Sequence, residues 1–151
     1  MGEGDVTARR SGEGIGMEPG RESVTRTVAI DGAFLGEVLL YLRRDARTTV
    51  LRWTLGDRGT AEIDACFEAC ETGWKTGARL WSPNGLAVAA AIVYAEATSS
   101  EEIALRLQPT LPPQGWGEQG EPFTALAECA LDELAEELLW HASRSGLTPR
   151  H

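Results

Sequence analysis

The residues best equipped for chemistry are three cysteines, two histidines and a run of carboxylates near the C-terminus. Cys66 and Cys70 stand four apart, so on a helix both thiolates point to one side, where Cys129 or His141 would complete a metal site. Zinc thiolates, however, ordinarily come as Cys-x-x-Cys pairs on turns, and a cysteine outside such spacing packs as a small apolar side chain. Asp132, Glu133, Glu136, Glu137 and His141 have the composition of a carboxylate-bridged centre. The di-iron bundle pattern needs a Glu three residues before its His, and Leu138 stands there, so these acids read as a solvated face. No metal site is assigned.

Covalent catalysis finds little support. There is no Gly-x-Ser-x-Gly elbow, and His141 and His151 lie at the end of the last helix and on the tail, where neither is placed to serve as a triad base. No Gly-x-x-x-x-Gly-Lys-Ser/Thr loop occurs. Gly12, Gly14 and Gly16 have the spacing of a phosphate cradle, but no strand precedes them and no amphipathic helix follows. No catalytic residue and no cofactor are assigned. A lone Asp or Glu acting as general base leaves no mark in a sequence, so enzyme activity is the weaker class, not an eliminated one.

Five tryptophans in 151 residues exceed what a small core needs, and amphipathic indoles gather at pockets and interfaces. Trp53 lies on the buried phase of a strand. Trp81, beside a hairpin turn, and Trp116, on a long Pro/Gly loop, are the better site candidates.

Twenty-three acidic against fourteen basic residues give a formal charge of -9, the wrong sign for a generic nucleic-acid binder, whose affinity comes from Lys and Arg on phosphates. No run of eighteen apolar residues exists, and the N-terminus lacks the basic start and apolar stretch of a secretory signal, so no membrane partner and a cytoplasmic location are expected. An odd, unpatterned set of cysteines fits reduced thiols. At this length a chain buries roughly 70% of its unfolded surface without staples.

Residues 1–23, rich in glycine and charge, read as a disordered tail, with Met17 as an alternative start; residues 24–142 form a single domain and 143–151 a flexible tail. Val24 to Ile30 alternate as a half-buried strand, and so do Leu51, Trp53 and Leu55 ahead of the turn at Gly56 to Gly59. Residues 33–44 fit both periods. Over 60–72 a helix is favoured, from Ile63, Cys66, Phe67 and Cys70 with Gly73 as its stop, although Ala61, Ile63, Ala65 and Phe67 also share a strand face. Asn84-Gly85 signals a hairpin.

Residues 86–96 are apolar on both phases, with Leu86, Val88, Ala90, Ile92 and Tyr94 opposite Ala87, Ala89, Ala91, Val93 and Ala95. The small phase lets a helix approach closely, and the large phase is left for a cavity or an interface. Ile103, Leu105 and Leu107 continue the meander. Pro122 opens the longest helix, ending near His141, with Leu126, Leu131, Leu134 and Leu138 facing the core and acids facing out. The Arg43 to Arg58 stretch is expected to meet those acids, within the chain or on a neighbour. The fold class is α+β: a mostly antiparallel sheet of about five or six strands packed by one long C-terminal helix, with room for one further short helix.

Two family resemblances follow from the two open segments. With 33–44 helical and 60–70 a strand, the element order over 24–142 resembles the START-like, polyketide-cyclase helix-grip superfamily, which implies a final helix closing a cavity for apolar ligands. With 36–43 a strand and 60–72 a helix, Tyr41-Leu42-Arg43-Arg44-Asp45 and the stretch from Phe67 to Trp81 resemble the SsgA-like cell-division regulators, though no aromatic continuation follows Asp45. The first functional expectation is a non-enzymatic interaction or regulatory module acting as a homo-oligomer or on a protein partner. The alternative is an apolar small molecule bound between sheet and helix, with Trp53, Trp81, Val88, Ile92, Tyr94, Leu105 and Trp116 as the binding residues.

Overall fold

A computed structural model of the chain describes residues 23–45, 50–110 and 121–146. Residues 1–22 of the expected N-terminal tail, the Trp116 loop and the last residues of the expected C-terminal tail lie outside them.

The chain runs β1 (Val24–Val28), α1 (Leu35–Asp45), β2 (Val50–Thr54), β3 (Thr60–Asp64), β4 (Glu68–Cys70), β5 (Gly73–Trp81), β6 (Val88–Ala97), β7 (Ile103–Pro109) and α2 (Glu121–Arg144). One antiparallel sheet has the order β1-β7-β6-β5-β3-β2, with three-residue β4 also paired to β5. The sheet curls around α2, which touches β1, β7, β5 and β3, and α1 packs beside it. The architecture is the expected α+β one, with one short strand more and the single additional α-helix.

Residues 33–44 become helical because the 3.6-residue period encloses four large apolar side chains together, with Phe34 alone of that face exposed. Leu35, Val38, Leu39 and Leu42 are enclosed, while Leu40 and Tyr41, on the other phase, stay exposed. Asp31 caps the preceding turn, its Oδ1 accepting from the Ala33 amide at 2.9 Å. Gly36, a weak helix former, is the point where Trp74 lies against α1: a Cβ there would sit 3.1 Å from Trp74 Cζ2.

The helix expected over 60–72 is not formed. Two periods fitted, and pairing decided between them: β3 registers Leu51 with Ile63 and Trp53 with Ala61, and on its other side Ala61 with Leu80. Ala61, Ile63 and Ala65 are thereby buried, whereas Cys66, Phe67 and Cys70, the proposed helical stripe, are only partly covered. Gly73 begins β5 instead of ending a helix. The observed order is the one that the helix-grip resemblance implies, and the strand-for-helix exchange behind the SsgA-like resemblance does not occur.

The small phase of β6 is buried, as its composition predicts. Ala89, Ala91, Val93 and Ala95 share one buried core with Leu80, Leu105, Leu107 and the α2 side chains Leu126, Leu131, Leu134 and Leu138, while α2 itself runs closest to β1 and β7. Val93, Leu80, Leu105, Leu107 and the four α2 leucines have no accessible surface, so no water-sized void touches them. Gly59, at φ +124, passes between Trp81 and Leu126 so closely that a Cβ would collide with the Trp81 carbonyl.

Within the chain, the described partner of the acidic helix is Arg26 and not the described arginines of the Arg43 to Arg58 stretch. Arg26 of β1 donates from Nε to Asp132 Oδ1 at 2.9 Å and lies 3.6 Å from Glu128. The Asp132 hydrogen bond raises the Arg26 pKa above its ordinary value, against a smaller opposing effect of burial. Among the described residues Arg43, Arg44 and Arg58 make no ion pair with α2; Arg52 pairs with Glu62.

Candidate functional site

Because side chains alternate along a strand, every residue that turns away from α2 joins a second sheet face, which no described helix covers. The ladders align Arg52, Glu62, Arg79 and Ala90 in one row across four strands. Glu62, with a side chain only 14% exposed, bridges Arg52 Nη1 and Arg79 Nη2, and Arg79 also reaches to 3.9 Å from Asp64. Along β6 the same face carries Val88, Ala90, Ile92 and Tyr94, with Trp81 registered beside Val88. Val88 is 51% exposed and Leu86, in phase with it at the hairpin, 86%. Arg52 lies 5.3 Å from the Trp81 ring centre and Arg106 4.3 Å from that of Tyr94, so cations flank the apolar column on both sides.

The column ends in a cleft of about 490 Å³ lined by Asp64, Cys66, Glu68, Lys75, Gly77 and Ile92, with Thr76 behind. Two features open it. Gly77 contributes no side chain between Asp64 and Ile92, where a Cβ would stand 3.2 Å from Asp64 Oδ2. The chain bends away between β3 and β4, and the bend is held by Thr76 Oγ1 donating to the Cys66 carbonyl at 3.1 Å.

A shallower groove of about 400 Å³ follows α2, lined by Glu133, Glu136, Glu137 and Trp140. Trp140 is 53% exposed, with the Arg144 guanidinium 4.4 Å from its ring centre and buried His141 edge-on at 4.8 Å. His141 Nε2 lies 4.0 Å from Glu137. No group of three or more His, Cys, Asp or Glu able to hold a metal occurs among the described residues. Cys66, Cys70 and Cys129 are free and half-buried, short of the core position expected for them.

The six expected binding residues that are described do not converge. Trp81, Val88, Ile92 and Tyr94 lie on the uncovered face. Trp53 and Leu105 lie on the other, Leu105 registered with Ala95 and wholly enclosed under α2. Trp116 falls outside the described residues. The period of two is the reason: once the alanine phase faces α2, the large phase of the same strand must face away from it. Reasoning from sequence did not select the Arg52, Glu62, Arg79 row or the Gly77 gap, because each depends on which strands become neighbours.

No family model matches the chain, and none of the curated proteins does. Solved structures similar to it include the Mll3558 protein from Rhizobium loti, 16% identical over 77% of this chain and 94% of that one, with a TM-score of 0.35. The Zhui aromatase/cyclase from Streptomyces sp. R1128 is 15% identical over 82% and 93%, TM-score 0.35. TTHA0849 from Thermus thermophilus is 13% identical over 78% and 95%, TM-score 0.32. Likenesses this weak transfer neither a residue role nor a ligand. Among the described residues no helix is long and apolar enough to cross a membrane.

Proposed function

We propose that this protein is a non-enzymatic interaction module that works as a homo-oligomer, its copies meeting through the uncovered sheet face. The observation that carries the reading is the contrast in cover: the alanine phase of β6 is buried in the core, while on the larger phase Val88 and Ala90 are exposed and Ile92 and Tyr94 partly so, with no described helix packed upon them. Charge favours a second copy as the occupant. The face bears Arg52, Lys75, Arg79 and Arg106 against Glu62, Asp64, Glu68 and Glu96, a balanced set on a chain whose formal charge is -9. Two copies approaching by their acidic helices repel, whereas approach by this face carries no such cost. Ala90, exposed at the centre of the column, lets two sheets come close.

An apolar ligand between sheet and helix has less to rest on, since the enclosed leucines there leave no void beside them. Sedimentation equilibrium across a hundredfold range of concentration, in low and high salt, tests the proposal. Association that persists in high salt is expected of an apolar contact. A chain that stays monomeric at the highest concentration overturns it.

A further inference from the structure

The uncovered face carries a knob and a hole. Leu86, the most exposed large apolar side chain among the described residues, stands on a turn that is tightly hydrogen-bonded. Asn84 Oδ1 accepts from Ser82 Oγ at 2.7 Å and from the Leu86 amide at 3.0 Å, the Ala87 amide donates to Ser82 Oγ at 2.9 Å, and Gly85 takes the positive φ the turn requires. A leucine presented this way is already ordered, so docking it costs little conformational entropy. The cleft at Gly77 and Ile92 lies on the same face, six residues further along the strand, or roughly 20 Å at 3.3 Å per residue.

We infer that, in a pair of copies related by a two-fold axis, Leu86 of each seats in the Gly77/Ile92 cleft of the other. This rests on the self-association reading above and adds the register. An axis lying between the sheets, perpendicular to β6 and level with Ala89, reverses direction along the strand and so brings position 86 of one copy opposite position 92 of the other, twice over. The same axis sets Arg79, registered with Ala90, against the partner's Trp81, registered with Val88. A cation thereby meets an aromatic ring in place of its own equivalent. No other register of β6 against its copy puts both knobs into both clefts.

Cys66, which lines the cleft, makes the inference testable in the intact chain. Leu86→Cys places a thiol on the knob, and mild oxidation with copper phenanthroline should then yield an inter-chain disulfide between the introduced thiol and the partner's Cys66, identified by peptide mass mapping and lost in the Leu86→Cys, Cys66→Ser double variant. Independently, Leu86→Asp should weaken association by at least about tenfold, the effect of losing an anchor worth about 1.4 kcal/mol or more; at 86% exposure the site has no part in the core. A dimer that cross-links only between two introduced thiols, or to another cysteine, overturns the seating while leaving self-association through this face intact. A native chain that is monomeric at all concentrations overturns both.

Discussion

The two faces of one β-sheet, built from alternate residues of the same strands, have opposite characters. On one, Ala89, Ala91, Val93 and Ala95 are buried in the same core as the α2 leucines, which have no accessible surface. Turned the other way, Val88, Ile92 and Tyr94 rise beside Trp81 amid paired charges, with no described element across from them. The first face holds the fold together. The second is furnished beyond what the fold needs, since a merely solvated strand face would carry Thr, Ser and Lys where Val88 and Ile92 stand.

The sharpest way to break this contrast is to cut into the covered face. Leu134→Ala should cost about 2 to 5 kcal/mol in a urea titration, from lost burial and the cavity left in the core. Next in size is a pair of neighbours. Ala91→Leu overpacks the buried core and should cost about 1 to 3 kcal/mol, whereas Ala90→Leu, one residue away on the other face, should change the stability of the dilute chain by less than about 0.5 kcal/mol. Equal losses at the two positions would mean that the faces do not differ in cover.

Smaller effects test the charges. Arg26→Ala removes the link from β1 to Asp132 and Glu128 and should cost about 0.2 to 1 kcal/mol, diminishing with salt because the pair is partly exposed. Glu133→Gln with Glu136→Gln should shift stability by less than about 0.5 kcal/mol and leave association unchanged. Weakened association in that double variant would instead place the acidic helix, against the Arg43 to Arg58 stretch of a neighbour, in the contact.

Much of the covered face can be read from the chain itself. The alanine phase of β6 and the leucine stripe of α2 are local patterns, each with one period, and each lies where its pattern puts it. Residues 60–72 are different, because Ile63, Cys66, Phe67 and Cys70 satisfy a helix as well as Ala61, Ile63 and Ala65 satisfy a strand. Only partners distant in sequence, Leu51 and Trp53 on one side and Leu80 on the other, select between them. The site depends on the same non-local step. Val88, Ile92 and Tyr94 stand out as a large apolar phase, but which way that phase points follows from where α2 docks, and the Arg52, Glu62, Arg79 row exists only once β2, β3 and β5 are adjacent.

The central claim, that copies meet through the uncovered face, is tested most directly by oxidative footprinting of side chains as concentration rises. Labelling of Leu86, Val88 and Tyr94 should fall as the chain associates, while Trp140 and Leu40, exposed on the helices, should label equally at every concentration. Protection of Trp140 or Leu40 with Leu86, Val88 and Tyr94 unchanged would contradict the account.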